Sequence, residues 1–328
     1  MEYTHLGRSG LSVSRLCLGT MNFGAYTSEA DAQTIMATAH EHGINFFDTA
    51  NTYGRPRAEG VSEQIIGRWM AAGSGRRDRT VLATKLYGGK GDWPNDRFLS
   101  ALNIRRSCED SLRRLGTDHI DLYQMHHVDR ATPWEEIWEA MDVLRTQGKI
   151  IYIGSSNFAG WHIARAQEAA VRRGAFGMVS EQSLYNLAAR TVELEVLPAC
   201  QGYGLAVIPW SPLHGGLLSG ILRRGQAGDA QQERRSGGRA AEQLPALRPQ
   251  IEAYESFCEQ RGEDPAVVAL AWLLHRPGVT APIVGPRTLE QLTSARHALE
   301  VTLDEKALAR LDEIFPGPGG AAPEAYAW

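Results

Sequence analysis

The feature that most constrains this chain is a repeat. Short apolar runs of strand character alternate about eight times with longer segments of helical periodicity. The runs fall at residues 16–19, 45–47, 81–84, 120–125, 150–154, 178–182, 205–209 and 281–284. Helical patterns between them include residues 30–42, 97–115, 134–147, 161–173 and 192–201. In the second of these, Phe98, Leu102, Ile104, Cys108, Leu112 and Leu115 keep apolar side chains at helical spacing. Such alternation builds βαβ units around a parallel sheet, and eight of them predict closure into a (β/α)8 TIM barrel. A doubly wound sheet would open on a Gly-rich turn. Here the first run is followed by GTMNFG, with neither a dinucleotide fingerprint nor a P-loop.

The 328 residues could hold one domain or two. Eight units favour one domain over residues 1–328. The opening EYTHLGRSGLSVSRL predicts a small β-hairpin around residues 7–10, plugging the N-terminal end of the barrel. Residues 211–242, after the seventh strand, form the longest irregular stretch and predict a long loop, either a lid or a solvated insertion. The tail PGPGGAAPEAYAW predicts an irregular strap.

Composition excludes more than it assigns. With 34 Lys+Arg against 38 Asp+Glu, the net charge of −4 gives no general pull toward nucleic acid or acidic membranes. No stretch of about 18 apolar residues offers a membrane span. Cys17, Cys108, Cys200 and Cys258 are scattered without zinc spacing and read as inert thiols in a reducing, cytoplasmic setting. Only four of the basic residues are lysines: Lys85, Lys90, Lys149 and Lys306. Coding bias toward Arg explains the ratio, so each remaining Lys is worth inspecting.

In a (β/α)8 barrel the chemistry gathers where strands end at the C-terminal face. Residues 45–47 run into Asp48, with Tyr53 five positions on; residues 81–84 run into Lys85; residues 121–125 run into His126. Singly, each has a bland reading: a strand-end charge, a packing phenol, a snorkelling cation, a core histidine. Together they bring a carboxylate, a phenol, an ammonium and an imidazole to one mouth.

At these residues the chain resembles the aldo-keto reductase superfamily over nearly its whole length. The matching motifs are INFFDTANTYG (44–54), LATK (82–85), IDLYQMHHVD (120–129), IGSSNF (153–158), EQSLYN (181–186) and VIPWSPLHGGLLSG (207–220). The resemblance implies a catalytic tetrad of Asp48, Tyr53, Lys85 and His126 and reduction of a carbonyl by hydride from NADPH. Tyr53 would give the proton, Lys85 would lower the phenol's pKa, Asp48 would hold Lys85, and His126 would orient the substrate oxygen. His127 competes for that last role, but strand alternation and the family register favour His126.

The same resemblance implies Thr20, Met21 and Asp48 near the nicotinamide riboside, Ser156, Asn157 and Gln182 at the carboxamide, and Trp210 stacked on the ring. Ser211, Pro212, Leu213, Gly215 and Gly216 would follow the pyrophosphate. Gly285, Arg287 and Gln291 would meet the adenosine phosphate, and Arg287 at the 2′-phosphate would favour NADP over NAD. The chain departs from many relatives at Ser294 and Ala295, where they carry Glu and Asn, and at Ile221, where they carry Lys.

Phe23, Tyr87 and Trp93 are expected to bound the substrate pocket. Aromatic walls suit many small-molecule carbonyl compounds, and a homo-oligomer is left open. The style of the chain is similar to actinobacterial members of the family, some of which reduce nucleotide-linked keto-sugars. A rival is a regulatory NADPH-binding protein like the β subunits of voltage-gated potassium channels, which carry Asn where this chain has His126. A further rival makes Lys85 the Schiff-base nucleophile of a barrel aldolase.

Overall fold

The computed structural model describes residues 1–55, 59–89, 91–226 and 239–326. The chain begins with a hairpin, β1 (Tyr3–His5) and β2 (Ser12–Ser14), and then enters the barrel at β3 (Cys17–Gly19). Strand and helix then alternate through α1 (Glu29–Glu41), β4 (Phe46–Asp48), α2 (Val61–Ala71), β5 (Val81–Leu86) and α3 (Ala101–Leu115). They continue with β6 (Ile120–Met125), α4 (Trp134–Thr146), β7 (Ile150–Ser156), α5 (Gly160–Arg172), β8 (Met178–Gln182), α6 (Val196–Tyr203) and β9 (Ala206–Val207). After α7 (Ile221–Gln226), α8 (Arg239–Gln260) and α9 (Pro265–His275) comes the last strand, β10 (Ile283–Val284), followed by α10 (Leu289–His297) and α11 (Glu305–Ile314).

The eight strands β3 to β10 form one parallel sheet in the order β10-β3-β4-β5-β6-β7-β8-β9. Its free edges meet through a parallel bridge between Val207 and Val279, with Thr280 N–H donating to Val207 O (2.9 Å) and Ile283 N–H to Pro209 O (2.8 Å). The sheet is thus closed into the (β/α)8 barrel that the repeat predicts.

Strand alternation divides the core into two. Cys17, Phe46, Val81, Ala83, Leu122, Val179, Ala206, Ile208 and Ala281 fill the barrel's inside, joined there by Leu6 and Val13 of the hairpin. Leu82, Phe47 and Tyr123, one residue out of phase, pack outward against the helices. The hairpin stands where it was expected, against the barrel floor. At its turn Gly7 has φ +59°, and a Cβ there would lie 2.5 Å from Val179 O and 2.6 Å from Gly204 O. Only glycine permits that approach.

Some boundaries differ from the sequence pattern. The second helical pattern begins at residue 97, but Phe98 is left-handed (φ +71°) and α3 starts after Ser100, whose hydroxyl accepts from Asn103 N–H. A serine able to cap outweighs apolar periodicity at a helix start. The stretch 211–242 is not wholly irregular. It holds a short 3-10 turn (His214–Gly216), α7 and the start of α8, while residues 227–238 of that expected loop lie outside the described residues. The tail lies along residues 190–194, with Ala322 N–H donating to Leu194 O (3.0 Å), as a strap would; residues 327–328 lie outside the described part.

Candidate active site

The inward phase of Val81 and Ala83 carries on to Lys85, that of Phe46 to Asp48, and that of Leu122 to Gln124. Polar side chains therefore replace apolar ones as the barrel approaches its C-terminal mouth. Lys85 is fully buried, and its ammonium donates to three acceptors: Asp48 Oδ2 (2.6 Å), Thr49 O (2.9 Å) and Tyr53 Oη (3.2 Å). The ammonium has three N–H groups, so its donors are all engaged. Asp48 Oδ1 accepts from two amides, Gln124 Nε2 (3.0 Å) and Gln182 Nε2 (2.9 Å). Tyr53, in the turn after β4, meets His126 edge to face with ring centroids 5.9 Å apart. The structure thus brings the four residues of the expected tetrad together.

The electrostatics follow from burial and from these partners. Burial alone would lower the Lys85 pKa, but Asp48 and Tyr53 outweigh it and raise it. The ammonium is held charged. That opposes the aldolase reading, which needs a free amine. Tyr53 departs from expectation: burial raises its pKa, with Asp48 adding to the rise, and Lys85 only partly offsets them. The phenol keeps its proton at neutral pH. His126 is pushed down to about 2 by burial, by Lys85 and by His127, so its imidazole is neutral and keeps a single ring N–H. His127 stacks on His126 at 5.1 Å and is exposed.

A second cluster lies at the ends of β7, β8 and β9. Ser156 Oγ donates to Gln182 O (2.8 Å). Asn157 sits in the left-handed region (φ +60°), and its Nδ2 donates to Ser156 Oγ (3.0 Å) and His126 O (3.1 Å). The half-buried Trp210 donates from Nε1 to Asn157 Oδ1 (3.1 Å), which fixes the indole. Gln182 spends its Nε2 on Asp48 and on Gln124 Oε1 (3.2 Å); among the described residues no hydrogen bond reaches its Oε1.

Beyond Trp210 the backbone turns through Ser211 (φ +54°), His214 (+49°), Gly215 (+69°) and Gly216 (+107°). Pro212 and Leu213 lie within this turn, and Asn186 Nδ2 anchors it through Ser211 O (2.9 Å). The turn closes on itself: His214 N–H donates to Ser211 O (2.9 Å), Gly215 N–H to Ser211 Oγ (3.2 Å) and Gly216 N–H to Leu213 O (2.9 Å). On the neighbouring strand, Gly285 follows β10 as Thr20 and Met21 follow β3, and Asn22 Nδ2 ties the two segments through Gly285 O (2.7 Å). Gln291 Oε1 accepts from Arg287 N–H (2.8 Å), so that amide already shapes the turn leading into α10.

The expected pocket walls are dispersed. Phe23 is fully buried in the shell between barrel and helices, so it packs rather than facing the mouth. Trp93 is 77% exposed, standing away from the core. Tyr87 remains at the rim, edge to face with Phe98 (5.3 Å) and His127 (5.2 Å). Thr20 is fully buried, its hydroxyl donating to Asp48 O (3.0 Å), whereas Met21 is 57% exposed. Sequence reading missed Gln124, Thr49 and Asn186. The inward phase of strand β6 would have found Gln124, two residues before His126. Among the described residues no cluster of metal-ligating side chains occurs, and no helix is long and apolar enough to cross a membrane.

A closed parallel barrel thus gathers a lysine, a carboxylate, a phenol and an imidazole at its mouth, groups able to hold and pass a proton. The aldo/keto reductase family matches residues 15–315, and the chain belongs to that family. Its relatives include an uncharacterized oxidoreductase, YrpG, of Bacillus subtilis, 54% identical over the full length of both chains. The versiconal hemiacetal acetate reductase of Aspergillus parasiticus is 33% identical over 96% of this chain and 97% of its own. A probable voltage-gated potassium channel subunit beta of Arabidopsis thaliana is 32% identical over 99% of this chain and 100% of its own. Family and relatives make this chain an oxidoreductase of the carbonyl-reducing kind.

Proposed function

We propose that the protein reduces aldehyde or ketone carbonyls to alcohols with NADPH, and that Tyr53 is the general acid. The observation that carries the reading is the Lys85 ammonium shared between Asp48 Oδ2 and Tyr53 Oη inside the barrel mouth. Bound NADPH would supply a hydride to the carbonyl carbon. Everything else falls to the chain. Tyr53, protonated at neutral pH, gives its proton to the substrate oxygen. Lys85 then stabilises the phenolate left behind, and Asp48, braced by two glutamine amides, keeps Lys85 in place. Neutral His126 donates a hydrogen bond to the same oxygen, aligning the carbonyl and bearing part of its developing charge.

The residues fit the cofactor. Gln182 Oε1 is a free acceptor for an amide N–H, and Trp210 offers a fixed ring face beside Asn157. The turn at 211–216 carries Gly215 and Gly216, whose lack of side chains would let a pyrophosphate approach the backbone closely. Arg287 at the start of α10 supplies a guanidinium for a 2′-phosphate. The whole chain, 1–328, then serves one barrel site. Titrating NADPH and NADH against intrinsic fluorescence tests the reading: NADPH binding with quenching of Trp210 is expected, and absence of nucleotide binding overturns it.

The relative named as a hemiacetal acetate reductase supports a carbonyl or masked-carbonyl substrate. Screening aldehydes, ketones and nucleotide-linked keto-sugars separates a broad reductase from a deoxysugar enzyme.

A further inference from the structure

Outside the tetrad, one buried carboxylate ties the ends of β7 and β8, which carry Asn157 and Gln182, next to the strand end that carries Trp210. Glu181 lies in β8 one residue before Gln182, so its side chain points to the opposite face of the sheet, away from the barrel interior. It is fully buried. Its Oε1 accepts from Phe158 N–H (3.0 Å) and from Ser183 Oγ (2.7 Å), and its Oε2 accepts from Ser155 Oγ on the neighbouring β7. Its backbone carbonyl receives Ile208 N–H (2.9 Å), and the Ser183 carbonyl receives Trp210 N–H (3.0 Å).

Each contact falls beside a residue of the candidate cofactor site. The Phe158 N–H bond closes the corner in which Asn157 is held left-handed. Ser155 immediately precedes Ser156, and Ser183 follows Gln182 and hands its carbonyl to Trp210. A backbone N–H at such a corner can only donate, so it needs an acceptor there. A carboxylate with two oxygens serves three donors, two from the end of β7 and one just after β8, which no apolar residue can.

The arrangement is also costly. Among the described residues no ion pair reaches Glu181, and burial pushes its carboxyl up to about 7 despite the hydrogen bonds. The nearby titratable group that feels it is the buried Cys200 thiol of α6. Packing alone would be met more cheaply by a neutral side chain.

We propose that Glu181 is a positioning residue for the nicotinamide half of the cofactor site: it sets Asn157, Gln182 and Trp210 in register from behind the sheet. The proposal rests on the NADPH reading above. It predicts a split between two ligands, NADP+ and 2′-phospho-ADP-ribose, which keeps the phosphates and adenosine but lacks nicotinamide.

Calorimetric titration of both ligands against wild type, Glu181→Met and Glu181→Gln tests it. In Glu181→Met, NADP+ affinity is expected to fall at least tenfold while 2′-phospho-ADP-ribose stays within about twofold. Glu181→Gln keeps an oxygen for Phe158 N–H and lets the serine hydroxyls reorient, so it restores most of the loss. Equal weakening of both ligands would make Glu181 a general staple of the fold and overturn the proposal, as would unchanged NADP+ binding. If Glu181→Met does not fold, Ser183→Ala removes one of the three donors, with the same ligand split expected and the same overturning results. Wild type that binds neither ligand would instead sink the NADPH reading itself.

Discussion

Lys85 and Asp48 form a 2.6 Å ion pair with both side chains sealed from solvent, the lysine fully and the carboxylate to within 3%. Breaking one member of such a pair leaves the other charged and unpaired, at a cost of about 3–5 kcal/mol. Asp48→Asn and Lys85→Met are each expected to lose stability of that order in urea unfolding. Their double variant should lose less than the sum, because no lone charge remains. Additive losses would mean that the two charges are not energetically coupled. Gln124→Leu removes only one amide from Asp48 Oδ1 and should cost less than either single variant.

Tyr53→Phe removes one oxygen from the site and leaves the aromatic contact with His126. If Tyr53 is the acid, NADPH affinity stays within about twofold while the reduction rate falls about 10²–10⁴-fold. Stopped-flow hydride transfer, read beside cofactor titration, checks this. Near-normal turnover would remove Tyr53 from the role.

His126 gives a pH prediction. Its pKa stands at about 2 in the folded chain, against roughly 6.5 for an unfolded histidine. The unfolded chain therefore takes up a proton below about pH 6.5 that the folded chain refuses. Stability is complete above that pH and is lost as pH falls, by about 2 kcal/mol at pH 5. His126→Asn lacks this penalty, so the stability gap between wild type and variant should shift by that amount between pH 8 and pH 5. An unchanged gap would show that His126 titrates normally.

Where the sequence was legible, the reason was periodicity. The inner phase of β4, β5 and β6 delivers Asp48, Lys85 and Gln124 to one level, and a barrel mouth is where such phases converge. The tetrad could be read because each member stands at or just beyond a strand end. Phe23 could not be placed the same way: it follows β3 in an irregular segment, where no period says which side faces the core. Trp93 lies in another such segment and turns out to solvent. The Tyr53 pKa was misjudged because a neighbouring cation is visible in sequence while the depth of burial is not.

Arg287 governs the choice between cofactors in this reading. It sits just before α10, and its backbone N–H is already fixed by Gln291, so the guanidinium is the part left to meet a phosphate. Losing a charged hydrogen-bond partner costs about 1.5–3 kcal/mol, roughly 10–100-fold in affinity. Arg287→Ala should weaken NADPH by that factor and leave NADH nearly unchanged. Parallel loss of both would assign Arg287 to the shape of the turn rather than to the 2′-phosphate.

Glu181 carries the opposite sign of pH dependence from His126. Its folded pKa of about 7 lies above the ordinary glutamate value near 4.5, so the folded chain holds a proton that the unfolded chain releases. Stability from this group is complete below about pH 4.5 and is lost as pH rises toward 7, to a total of about 3 kcal/mol. Glu181→Gln imitates the protonated form at every pH. Wild type and variant should unfold alike near pH 4.5, and the variant should be the more stable at pH 8, as measured by urea midpoints at the two values. A variant less stable at pH 8 would mean that the folded pKa of Glu181 is not raised, its three hydrogen bonds outweighing the cost of burying the charge.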